Sequence, residues 1–103
     1  MNIYRLETGF LISGGTAVLK THKIMGGLCR QFLLRTESSE TIFRARLMDS
    51  NSNNILHYGY HTGEINDTGS TGALPVPIYG IYILNIESAS LITICSLNLV
   101  VQE

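Results

Sequence analysis

Asp49, Asn51 and Asn53, each separated by a serine, present oxygen donors at alternate positions. An EF-hand loop begins to wrap calcium with that spacing, but here the rest of the loop is missing. Asn54 stands where the sharp-turn glycine belongs and Tyr60 where the bidentate glutamate belongs. The segment reads as a polar hairpin loop. His57 and His61 fall four apart, so on a strand both would face one side. A zinc site needs three or four ligands, and no spacing ties His22 or Cys29 to this pair. Glu64 and Asp67 could pose as the two carboxylates of a glycosidase, yet nothing in a glycine-bearing stretch would fix their separation. There is no Gly-x-Ser-x-Gly elbow, glycine-rich phosphate loop or Cys-x-x-Cys. The expectation is a non-enzyme, with no catalytic, cofactor-binding or metal-ligating residue to nominate.

Tyr58, Tyr60, Tyr79 and Tyr82, with His57 and His61, could instead line a platform on which sugar rings stack. Against this, Tyr82 reads as core by its alternation, and the chain has no tryptophan. A glycan-binding module is the alternative reading that these residues support.

The elements holding these residues are strands. Phe43, Ala45 and Leu47 alternate with Arg44 and Arg46, so one set can be buried while the other stays wet. Tyr82, Leu84 and Ile86 alternate with Ile81, Ile83 and Asn85 in a strand spanning 78–86, apolar on both faces and so expected to be central. Residues 3–6, 10–13, 17–21, 41–48, 55–60 and 91–101 read as further strands. Residues 28–36 also suit helical spacing (Leu28 with Phe32, Cys29 with Leu33), but β-branched Thr36, Thr41 and Ile42 favour a strand. Turns are expected at Gly14-Gly15, Gly26-Gly27, Ser38-Ser39, 49–54 and 87–90. Residues 63–72 show no periodicity and read as a loop, and Pro75 and Pro77 suit an edge. The fold class is therefore all-β: an antiparallel, jelly-roll-like β-sandwich of about seven or eight strands forming one domain over 1–103, with a short N-terminal arm at 1–7.

With 103 residues, 45% of them hydrophobic, the chain can bury a core. Only 15% are charged, against a usual ~25%. Either part of the surface is covered by other copies or a larger assembly, or Ser, Thr and Asn replace charge on a compact sandwich. A net charge of −1 argues against a nucleic-acid binder. Cys29 and Cys95 sit in apolar segments and read as buried thiols; two cysteines could form one bridge, though nothing indicates an oxidising compartment. Residues 1–7 lack the pattern of a secretory leader, and no apolar run approaches the ~20 residues of a spanning helix. The chain is expected in the cytoplasm until it joins an assembly, away from membranes; Asn66-Asp67-Thr68 then matches the glycosylation sequon by chance.

The segments Phe43-Arg44-Ala45-Arg46-Leu47-Met48-Asp49-Ser50-Asn51 and Gly80-Ile81-Tyr82-Ile83-Leu84-Asn85-Ile86, ending in Leu97-Asn98-Leu99-Val100-Val101, share a cadence with a known family. They resemble the jelly-roll sandwiches of the bacterial pre-peptidase C-terminal type, over roughly the last 60 residues. Ile86 stands in place of the family's usual valine, and the glycine of the first turn is absent. The chain also looks like the small sandwiches used as accessory proteins of tailed-phage virions, including capsid decoration or cement proteins. That resemblance implies location in the virion and contacts with a major capsid or other virion protein. It also implies a homo-oligomer, a trimer among the options, and no catalytic residues. The contact elements expected are the arm 1–7, with Ile3, Tyr4, Arg5 and Leu6, and the loop 63–77 with its surroundings, giving Tyr58, Tyr60, Pro75, Pro77 and Tyr79.

Overall fold

The computed structural model describes residues 3–20, 24–69 and 74–102, and among them every regular element is a strand. Nine strands follow in order: β1 (Ile3–Ser13), β2 (Thr16–Lys20), β3 (Ile24–Thr36), β4 (Ile42–Asp49), β5 (Asn54–Thr62), β6 (Glu64–Asp67), β7 (Val76–Gly80), β8 (Tyr82–Ser88) and β9 (Ile92–Gln102). All pairings are antiparallel, in the order β5-β4-β8-β2-β1-β9-β3-β6, with β7 also on β3.

The link between β2 and β1 is a single residue pair, Ser13 with Thr16, so the ladder folds there into two layers. One layer is β1-β9-β3 with β6 and β7 side by side along β3; the other is β2-β8-β4-β5. The chain crosses between them, β1 in the first, β2 in the second, β3 in the first, β4 and β5 in the second, β6 and β7 in the first, β8 in the second and β9 in the first. This is the winding of a jelly roll. Because β6 borders Phe32–Arg35 and β7 borders Ile24–Cys29, the two together fill one strand position.

The alternation read in 43–47 is what the core uses: Phe43, Ala45 and Leu47 are buried, as are Tyr82, Leu84 and Ile86 from the neighbouring β8. Phe32, Leu34, Leu97, Leu99 and Val101 close over them from the other layer. Burying such side chains removes roughly 1.5–3 kcal/mol of exposure each.

Several expectations need correction. Residues 3–7 are not an arm: they form the first half of β1, in register with β9 from Ile3–Gln102 through Glu7–Asn98. Residues 3–6 and 10–13 belong to one strand, since Gly9 pairs with Ser96 without a break. Gly26-Gly27 does not end a unit, because β3 runs through it with a bulge. Gly27 has φ +152°, and a Cβ there would lie 2.6 Å from Gln102 O, so glycine lets β3 and β9 stay paired. Residues 63–72 are not wholly loop: 64–67 form β6, while 70–73 lie outside the described residues. The strand expected over 78–86 is two, divided at Gly80 (φ +100°) and Ile81, where the chain leaves one layer for the other. Residues 28–36 are strand, and their helical look has a cause. A bulge between Cys29 and Gln31 shifts the parity, so Cys29 and Phe32 are both buried three residues apart.

Candidate docking surface

The residues nominated for chemistry are mostly consumed by the fold. Asp49 caps its own turn: its Oδ1 accepts the N–H groups of Asn51 and Asn53, both at 2.9 Å, and Asn53 Nδ2 donates to Oδ2 at 3.2 Å. These bonds, the Asn53 N–H foremost, hold its carboxyl below the usual range. Ser52, at φ +65°, completes the turn.

His57 and His61 do not share a face. β5 carries an extra residue opposite β4, so His57 stands opposite Arg46 and His61 opposite the buried Phe43. Among the described residues, no three metal-ligating side chains come together. Glu64 and Asp67 point apart. Glu64 meets Arg35 at 3.6 Å on the outside, while Asp67 is buried opposite Phe32.

The Asp67 carboxylate has an interior role instead. The Tyr58 hydroxyl donates to Oδ2 at 2.9 Å, and the Gly69 N–H donates to Oδ1 at 2.9 Å. Tyr58 stacks on Phe32 with ring centroids 4.8 Å apart. Burial first, then the Asp67 carboxylate, pushes the Tyr58 phenol well above its ordinary value. This contact joins β5 to β6 and holds the two layers together on that side.

The four tyrosines therefore do not assemble a platform. Tyr58 and Tyr82 are buried; Tyr60 and Tyr79, each 64% exposed, belong to different layers. Tyr60 lies under Arg44, whose guanidinium carbon is 5.2 Å from the ring centroid. Arg44 in turn holds Glu87 at 2.6 Å. The Tyr79 N–H donates to Tyr82 Oη at 2.7 Å. Pro75 and Pro77 are exposed beside the β7 edge, Arg5 is exposed on β1, and Ile3, Tyr4 and Leu6 lie on β1 within its ladder to β9.

Cys29 and Cys95 are free and buried. Cys29 pairs with Val101 and Cys95 with Thr36, at positions along β9 that lie roughly 20 Å apart, too far for a bridge. Burial raises Cys29 from 9.0 to about 12 and Cys95 to about 11, so both are unreactive thiols.

A cluster of exposed apolar side chains lies on the outer face of the β1-β9-β3 layer. Leu11 and Ile94 stand directly opposite one another, each 56% exposed; Ile92, two residues along on the same face, and Leu91 in the preceding turn are each 72% exposed. Beside them a shallow depression of about 420 Å³ runs across three strands, lined by Glu7, Gly9, Leu33, Arg35, Ser96, Leu97 and Asn98. It is open because Gly9 and Ser96 put almost no side chain there. Asn98 Oδ1 is buried at this depression with no hydrogen-bond partner among the described residues. Buried oxygens are rarely left so. Neither Leu11 nor Ile94 was singled out from sequence. A signal existed, since Ile92 and Ile94 fall on the parity opposite to Cys95, Leu97 and Leu99, making the start of β9 apolar on both faces.

No family model matches the chain, and neither does any curated protein, so the pre-peptidase likeness gains no support. Among solved structures, the chain is similar to one titled infectious bursal disease virus, Gx strain, at TM-score 0.34 and 12% identity over 98% of this chain and 32% of that one. A Gt-strain structure of the same virus gives TM-score 0.29 and 12% identity over 99% and 31%. The chain thus spans about a third of the length of those chains. Similarity at this level does not carry a functional argument, and the fold rests on strand order alone. No helix among the described residues is long and apolar enough to cross a membrane.

Proposed function

We propose that this chain is a non-enzymatic structural protein of a viral particle, a decoration or cement protein that docks onto neighbouring shell subunits. The observation that carries the reading is the apolar cluster Leu11, Leu91, Ile92 and Ile94 on the outer face of one layer. It leaves on the order of 400 Å² of apolar surface in water, a size at which a monomer's largest patch is often functional. The unpartnered Asn98 oxygen on the same face supports the same surface. Jelly rolls are a common architecture of capsid domains, though lectins share it, so the fold alone decides nothing. The depression at Gly9 and Ser96 is shallow, and His57 and His61 stand on the other layer, which supports docking rather than catalysis.

The test is to express the tagged chain in the host that carries its gene and separate assembled particles on a density gradient. The wild-type chain is expected to travel with particles in stoichiometric amount, and Leu11→Asp with Ile94→Asp to remain at the top while keeping a folded β spectrum. A wild-type chain found only in the soluble fraction overturns the reading.

A further inference from the structure

The sandwich has several strand edges, and among the described residues β5, β6, β2 and β7 carry devices that hinder pairing with another chain. β5 shifts register twice against β4. β6 has four residues and β2 has five. β7 contains Pro77 and follows Pro75, neither of which can donate to a ladder. β1 has none of these. It runs eleven residues in unbroken register with β9, contains no proline, and no described strand pairs with the other side of residues 3–8. Such an edge is a template for an added strand.

The charges on β1 indicate which strand. Arg5 and Glu7 are both exposed, and neither has an ion-pair partner among the described residues. When two identical strands pair antiparallel about Leu6, Arg5 of one copy falls opposite Glu7 of the other, and Glu7 opposite Arg5. No other antiparallel register of two β1 strands sets these opposite charges face to face. We infer that β1 pairs with β1 of a second copy of this chain, centred on Leu6, forming one continuous eight-position sheet across a two-fold axis.

The axis of such a pair is perpendicular to the sheet, so both copies present the same face. The two Leu11–Ile94 patches then lie on one side of the dimer, roughly 35 Å apart, five residues to either side of the axis. Here the inference rests on the docking reading: a dimer would grip its shell at two points and gain from avidity.

Sedimentation of the purified chain tests the pairing without any particle. The wild type is expected to be a dimer. Arg5→Glu and Glu7→Arg each place like charges opposite one another twice per dimer, and each is expected to raise the dissociation constant tenfold or more. The double swap Arg5→Glu with Glu7→Arg restores opposite pairs and the dimer. As a second measurement, a mixture of Arg5→Cys and Glu7→Cys chains is expected to crosslink on oxidation, more than either chain alone. A monomeric wild type, a dimer indifferent to the single changes, or a double swap that stays monomeric overturns the pairing. The gradient experiment can fail while this dimer stands, and the dimer can fail while particles still carry the chain.

Discussion

The two layers of the sandwich wear different outer faces. On β2-β8-β4-β5, Arg44 holds Glu87 and lies over Tyr60, and Arg46 and Asn85 are half-buried among their neighbours. The exposed apolar side chains of that layer stand apart, Val18 opposite Asn85 and Ile42 opposite Thr62. On β1-β9-β3, Leu11, Ile92 and Ile94 stand in water and Asn98 Oδ1 has no described partner. The difference teaches that exposed apolar surface is unevenly arranged: one face scatters it among polar neighbours, and the other gathers Leu11, Ile92 and Ile94 into the patch on which the docking proposal rests.

The comparison can be broken from the inside outward. The largest loss of stability should come from the shared interior. Phe43→Ala is expected to cost about 3–5 kcal/mol in denaturant unfolding. Tyr58→Phe strips one donor from the buried Asp67 carboxylate, and a loss of about 1–3 kcal/mol is expected. Raising the pH should weaken the fold as well. The unfolded thiols ionise near 9.0, whereas Cys29 and Cys95 in the fold hold their protons to about 12 and about 11. The unfolded chain therefore binds fewer protons in this window, and stability present below pH 9 is lost as pH rises through 11 to 12. Thermal midpoints across that range should fall less steeply for Cys29→Ala than for the wild type. On the outer faces the effects shrink and separate. Arg44→Ala is expected to lower the midpoint slightly and leave docking alone. Ile94→Ser is expected to change stability by about 0.5 kcal/mol or less while removing docking.

Much of the architecture was legible because the relevant signals are local. Phe43, Ala45 and Leu47 declared a face by alternation, and that face is buried. What escaped depends on distant partners. Residues 3–6 read as a short strand within a reaching arm, and only the ladder to β9 shows that they continue without a break into 10–13. Asp67 makes β6 look like a loop, because the Tyr58 hydroxyl that lets it be buried lies on another strand. The bulges in β3 and β5 reset parity without a local mark, hiding the separation of His57 from His61. For the candidate surface, sequence placed Arg5 on a contact element but missed Leu11 and Ile94, which meet only across the β1–β9 ladder.

Amide hydrogen exchange, compared between the free chain and the chain bound to assembled particles, tests the central claim most directly. Slower exchange on binding is expected at residues 9–13 and 91–96, with β4 and β5 unchanged. Protection confined to β4 and β5, or no change at 9–13 and 91–96 in a particle-bound chain, would contradict it.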